Sequence, residues 1–193
     1  MAVVYVLVAP KDGDHVHMEV EEIRLKGENV YLDNVDAYDA DDLHRLLGSP
    51  RVASMLRRLP QPWDQRQAQK WVERRRFQGR PGFVLKIVGR EHEFLGFIGI
   101  SGVSNSLMYA VVPEAEGQGI AADALQTFVD FVFSRFDLDA VRATTAVGNE
   151  RSAGMLVRMG FEWIAQEEYT RTPGAPAETL DTYELKRPTK SAA

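Results

Sequence analysis

The chain has 193 residues, 45% hydrophobic and 26% charged, a composition that fits one globular domain with a sizeable core. It contains no cysteine, which excludes disulfides, thiolate metal ligands and a cysteine nucleophile, and its formal net charge of -5 argues against general nucleic-acid binding. The apolar run Val3 to Ala9 stops at Pro10, too short to span a bilayer, and lacks the flanks of a secretory signal, so the expectation is a cytoplasmic protein with no membrane partner.

In chain order, the first elements are short β-rich runs punctuated by turns. Val3 to Val8, Val16 to Leu25 and Val30 to Val35 are separated by Lys11-Asp12-Gly13-Asp14 and Lys26-Gly27-Glu28-Asn29, a pattern that predicts hairpins. From Asp39 the period changes. Leu43, Leu46 and Leu47 share one helical face, and Gly48-Ser49-Pro50 ends that helix. Asp64 caps a second helix running through Phe77, with Ala68, Trp71 and Val72 as its apolar stripe.

Phe83 to Val88 and Phe94 to Ile100 read as a hairpin, and Ser106 to Val112 as a further strand halted at Pro113. A glycine-bearing turn then leads into a long amphipathic helix, about Ile120 to Phe136. Val141 to Val147 is the next strand and Ser152 to Met159 the next helix. Phe161 to Arg171 and Thr179 to Lys186 form a closing pair around the turn Thr172 to Pro176. No second-domain linker interrupts this order, so residues 1–187 read as one domain, with 1–24 as additional N-terminal strands and the end of the chain, from Arg187 through 188–193, as a disordered tail.

Two segments carry chemistry. Pro113-Glu114-Ala115-Glu116-Gly117-Gln118-Gly119-Ile120-Ala121 lies between a strand and a long helix, where glycines let the backbone approach a ligand and free helix-start amides favour phosphate. Alone it is also compatible with an ordinary strand-to-helix turn. Downstream come Asn149-Glu150-Arg151-Ser152, Met155-Leu156 and Arg158-Met159-Gly160-Phe161; taken singly, Asn149 reads as a helix cap and Gly160 as a helix stop.

Together the two segments resemble the GNAT superfamily, in particular its branch of ribosomal-protein and small-molecule N-acetyltransferases. There a loop of Gln or Arg, two residues, Gly, one residue, Gly or Ala precedes a later helix reading Asn, two residues, Ser, and a hydrophobic stretch ending in Gly-Phe. In this chain the loop corresponds to Glu116 through Ala121, and the agreement in element order extends from Leu25 to Lys186. The resemblance implies an α+β fold: a central, twisted, mostly antiparallel sheet flanked by helices, here with an extra N-terminal β-hairpin.

It also implies acetyl-CoA as co-substrate and an amine acceptor, a protein N-terminal α-amine or a small-molecule amine, acetylated by direct attack without a metal. The loop Gly117, Gln118, Gly119, Ile120 and Ala121 would hold the pyrophosphate, with the amides of Gly117, Gly119 and Ala121 in contact. Val111 and Val112 would pair their backbone with the pantetheine arm, and Asn149 and Ser152 would lie at its sulfur end.

Two departures follow. Glu116 opens the loop where glutamine or arginine is usual, placing a carboxylate near a pyrophosphate. Ser106 stands where the branch often has a glutamate base, and Leu156 where other members have a tyrosine. Ser152 then has two readings, support of the departing thiolate or helix capping. Tyr109, Glu167, Glu168 and His92 are the groups to weigh for the missing acid-base work, each against a purely structural or solvated role. Loss of that base also leaves open a non-catalytic acyl-CoA-binding or regulatory module. Finally, Arg57, Arg58, Arg66, Lys70, Arg74, Arg75, Arg76 and Arg80 cluster around the second helix, as a solvated face or as an attractor for an acidic acceptor, and unpaired strand edges suggest a homodimer.

Overall fold

The computed structural model describes residues 22–49, 52, 63–170 and 177–188. The strand expected at Val3–Val8 and most of that at Val16–Leu25 lie outside the described residues, as do Arg57, Arg58 and the turn Thr172–Pro176. Among the described residues eight strands and four helices follow in the order β1 (Arg24–Lys26), β2 (Tyr31–Asn34), α1 (Ala40–Gly48), α2 (Gln65–Arg75), β3 (Val84–Val88), β4 (Phe94–Ile100), β5 (Leu107–Val111), α3 (Ile120–Arg135), β6 (Ala140–Ala146), α4 (Glu150–Arg158), β7 (Glu162–Thr170) and β8 (Ala177–Lys186). This is the α+β architecture expected from the sequence, with β1 and β2 forming an N-terminal hairpin.

The strands form two antiparallel sheets, a five-stranded one in the order β1-β2-β3-β4-β5 and a three-stranded one in the order β6-β8-β7. Among the described residues a single parallel bridge, Ser106 to Arg142, joins them. Past that point β5 and β6 share no ladder among the described residues, so the two sheets part and leave a gap between the facing edges of these strands.

Period-two alternation divides the first sheet into two faces. Leu32, Leu85, Ile87, Ile98 and Ile100 are buried against Ala124, Leu125, Phe128 and Val132 of α3. Val84 and Phe97 point the other way, against Leu43 and Leu47 of α1 and Ala68, Trp71 and Val72 of α2. Full burial of such side chains contributes about 1.5–3 kcal/mol each, so helices occupy both faces and neither sheet surface is left to water along its centre.

Polar anchors fix the register between layers. Asp36 and Asp39 form a capping box at the 3-10 turn Ala37–Asp39 that leads into α1. Lys86, projecting from β3 on the same face as Val84, places its Nζ 2.9 Å and 3.0 Å from the two carboxylate oxygens of buried Asp39 and 3.3 Å from Asp36. Asp123, in the first turn of α3, accepts from the backbone amides of Glu28, Asn29 and Val30, which ties the start of α3 to the β1–β2 turn.

Arg187, read from the sequence as the first residue of a tail, is instead fixed. Its guanidinium donates to the carbonyls of Leu138 (2.8 Å), Phe133 (2.9 Å) and Phe136. A cation is favoured there because the last carbonyls of α3 have no helical partner and carry the negative end of its dipole.

Candidate functional site

The glycine loop sits at the open end of the β5–β6 gap. Gly117 and Gly119 have φ of 76° and 80°, the left-handed region that side chains resist, and a Cβ built on either would meet nothing within 4 Å. Gly119 is the N-cap of α3 and offers no side chain to cap it. The first hydrogen bond of the helix runs from the Asp123 amide to the Gly119 carbonyl, so the amides of Ile120, Ala121 and Ala122 have no helical acceptor. Open space, free amides and the positive end of a helix dipole form a cradle suited to an anion. The side chains of Gln118 and Ile120 do not enter it: Gln118 donates to the Glu114 carbonyl, and Ile120 is buried in the core.

The Glu116 carboxylate is held 2.6 Å from the guanidinium of Arg151 on α4. The ion pair offsets the charge beside the cradle and fastens the loop to the start of α4. Its two halves come from segments 35 residues apart, which is why sequence inspection saw the carboxylate without its partner. A concavity of about 390 Å³ is lined by Glu114, Ala115, Gln118 and Ile120 of this segment together with the β3–β4 turn. Glu91, Glu93 and Glu114 line it with only Arg90 as cation, a surface that repels phosphate.

Backbone polarity defines the wall of the gap. The amide of Val112 donates to the Leu95 carbonyl at 2.9 Å and its carbonyl accepts from Ala115, so each of its backbone groups has a partner. Of the Val111–Val112 pair, Val112 already has its amide committed to β4, which leaves Val111 as the member whose backbone faces the gap. Even-numbered positions of β5 bond toward β4, as the Ser101 to Ser106 bond at the other end of the strand also shows. By alternation, Leu107, Tyr109 and Val111 aim their N–H and C=O groups across the gap.

Tyr109 and Ser152 meet at this wall. The Tyr109 side chain packs against the α3-side core. Burial pushes its phenol above the usual range for tyrosine, offset in part by a hydrogen bond with the Ser152 hydroxyl. Tyr109 is therefore protonated at neutral pH and suited to giving a proton rather than taking one. Asn149 caps α4, its Oδ1 accepting from the Ser152 amide at 3.2 Å. The Asn149 side chain makes the cap, and the Ser152 hydroxyl takes no part in it. Met155 and Leu156 bury the inner face of α4, and Gly160, with φ of 86°, ends it as the sequence suggested.

The other acid-base groups singled out in sequence lie apart from this pair. His92 is in the β3–β4 turn with φ of 66°, while Glu167 and Glu168 are exposed on β7, the edge of the second sheet. The structure brings in a carboxylate that sequence reading missed. Ser106 pairs with Arg142, which pairs in turn with Glu184, and the Arg142 guanidinium lies 2.9 Å from the Glu184 carboxylate. Paired residues share a face of the sheet, so Glu184 stands at the closed end of the gap, two strands from Ser106. No local pattern could have announced it, because the juxtaposition depends on two cross-strand registers.

A family model for the acetyltransferase (GNAT) domain matches residues 29–162, more than half of the chain. The protein belongs to the GNAT acetyltransferase family. The fold is similar to that of a GNAT-family acetyltransferase from Bacillus anthracis, with a TM-score of 0.72, 15% identity and coverage of 85% of this chain and 98% of that one. A ribosomal-protein-S5-alanine acetyltransferase from Vibrio fischeri superposes with a TM-score of 0.67 at 17% identity, covering 85% and 96% of the two chains. A spermidine N-acetyltransferase from Vibrio cholerae, solved in complex with CoA and spermine, gives 0.69 at 13% identity, covering 82% and 95%. At such identities the likeness establishes the fold. Among the described residues no helix is long and apolar enough to cross a membrane.

Proposed function

We propose that this protein transfers the acetyl group of acetyl-CoA to a primary amine by direct attack. The observation that carries the reading is the splayed gap between β5 and β6, opening onto the Gly117–Gly119 cradle and walled by the Tyr109–Ser152 hydroxyl pair. The amides of Gly117, Gly119 and Ala121 take the pyrophosphate, and the gap-facing backbone of Val111 and Tyr109 takes the pantetheine arm. Acetyl-CoA, as co-substrate, supplies an activated thioester carbonyl.

In the reaction the amine lone pair forms the new C–N bond and the C–S bond breaks; the proton that nitrogen loses passes to solvent water, and the thiolate takes a proton from the Tyr109–Ser152 pair, which solvent then reprotonates. The amine must arrive neutral. With serine at position 106, no carboxylate on β5 removes its proton. An α-amine with a pKa near 8 is about one tenth neutral at pH 7, whereas a lysine-type amine near 10.4 is less than about a thousandth neutral. That difference favours α-amines or other weakly basic amines as acceptors.

A second reading rests on the same serine. Without the glutamate usual in this branch, the chain would be an acyl-CoA-binding or regulatory module that does not turn over. An amine panel of N-terminal peptides, amino acids, polyamines and aminoglycosides, read by thiol release, decides between the two. Turnover with any amine excludes the non-catalytic module; CoA binding with no turnover across the panel overturns the transfer reaction.

A further inference from the structure

The end of α2 carries two arginines into a cleft of about 250 Å³, bounded by Ser101, Gly102 and Met108 from the β4–β5 region. The Arg75 guanidinium stacks over the Trp71 ring, 4.5 Å from its centroid, and is half-buried. Among the described residues Arg75 makes no ion pair. Arg74, its neighbour in the chain, adds a second positive charge to the same cleft. Burial, then the charge of Arg74, hold Arg75 below its ordinary value, so the cleft is electrostatically under-compensated as it stands. A guanidinium keeps its charge under such conditions, and a half-buried cation without a counter-charge is costly. An anion settling between Arg74 and Arg75 relieves both the desolvation and the mutual repulsion.

The position of the cleft relates it to the reaction. Met108 and Ala110 of β5 face α1 and α2, and by alternation so does Ser106. Ser101, in the cleft, is bonded to Ser106 at 2.9 Å. The cleft therefore lies beside the closed end of the gap and on the face opposite the Tyr109–Ser152 pair, which packs on the α3 side. On the acetyl-transfer reading, an amine held at the α2 face would lie on the side of β5 opposite the Tyr109–Ser152 pair.

We propose that this cleft binds an anionic group, a carboxylate or a phosphate, carried by the acceptor amine, with Arg75 as the principal contact and Arg74 in support. The inference rests on the acetyl-transfer reading above and narrows it to acidic acceptors. Arg75 offers two parallel donors in a plane fixed by the Trp71 ring, a geometry that suits the paired oxygens of either group.

Three blocked dipeptides test this: Ala-Asp-amide, Ala-phosphoserine-amide and Ala-Asn-amide, which share an α-amine and differ in one side chain. Thiol release should give a kcat/KM about tenfold or more higher for the two anionic peptides than for the neutral one, the size of effect a charge-assisted contact supplies. Comparison of Asp with phosphoserine identifies which anion is preferred. Arg75→Met, which keeps a long side chain on Trp71, should collapse that ratio to within about threefold while sparing the neutral peptide. Arg75→Lys should recover part of it, and Arg74→Met should lower it less. Equal rates for all three peptides in the wild type overturn the proposal. So does an equal loss on all three in Arg75→Met with an unchanged melting temperature. If no peptide turns over, calorimetry of the CoA-bound protein with the same peptides decides the matter. Tighter, Arg75-dependent binding of the anionic pair supports the cleft while the transfer reaction fails, and absence of that difference overturns the cleft.

Discussion

Replacement of Ser152 by alanine separates a chemical from a structural role at one atom. The cap of α4 uses the Ser152 amide, 3.2 Å from Asn149 Oδ1, and Ser152→Ala leaves it in place. What disappears is the hydroxyl bonded to the Tyr109 phenol. A net hydrogen bond of about 0.5–1.5 kcal/mol corresponds to a fall in melting temperature of about 1–6 °C for a chain of this size. In turnover the loss should be larger. A hydrogen bond to a charged group is worth about 1.5–3 kcal/mol, and charge at sulfur develops only as the thioester breaks, so kcat should fall by about 10- to 150-fold. KM for acetyl-CoA should change little, because the lost contact is made in the transition state. Steady-state kinetics and a thermal melt on the same preparation measure both quantities. A kcat within about twofold of wild type would refute the proton-donating role of the pair and leave the thiolate to solvent.

Asn149→Ala removes the cap itself and should cost about 1 kcal/mol of stability, read as a lower urea midpoint. Gly119→Glu should abolish CoA binding by calorimetry while the protein remains folded. The Cβ meets open space, left-handed strain costs about 1–2 kcal/mol, and the carboxylate fills the cradle; Gly119→Ala carries the same strain and should keep measurable binding. Lys86→Met leaves buried Asp39 without its cation, and since the two side chains are only 20% and 10% exposed, a loss of about 3 kcal/mol is expected in chemical denaturation. Tyr109 is raised in the folded state above an unfolded value of about 10. Its contribution is therefore complete below about pH 10 and is lost as pH rises through the folded pKa. Tyr109→Phe should flatten the alkaline decline of stability relative to wild type, and an unchanged decline would contradict the burial of the phenol.

Local chemistry in the sequence was enough to place most of the described elements and the glycine turn that precedes α3. Val84 to Val88 and Phe94 to Ile100 alternate with the strand period, Asp64 and Asn149 cap the helices they precede, and Gly117, Gly119 and Gly160 fall where the backbone turns left-handed. Each of these is a short-range preference of φ, of side-chain period or of an unpaired amide, and such preferences are written within a few residues of chain. The tertiary structure alone decided which side chains face one another. It assigned the cap to Asn149 and the Ser152 hydroxyl to Tyr109, 43 positions apart in chain numbering (152 minus 109). It supplied Glu116 with Arg151, placed Glu184 across two registers from Ser106, and set Arg75 on Trp71 in a cleft closed by the β4–β5 connection. Those pairings depend on the sum of strand registers and helix packing, and a one-residue slip in any strand would turn every side chain on it to the opposite face.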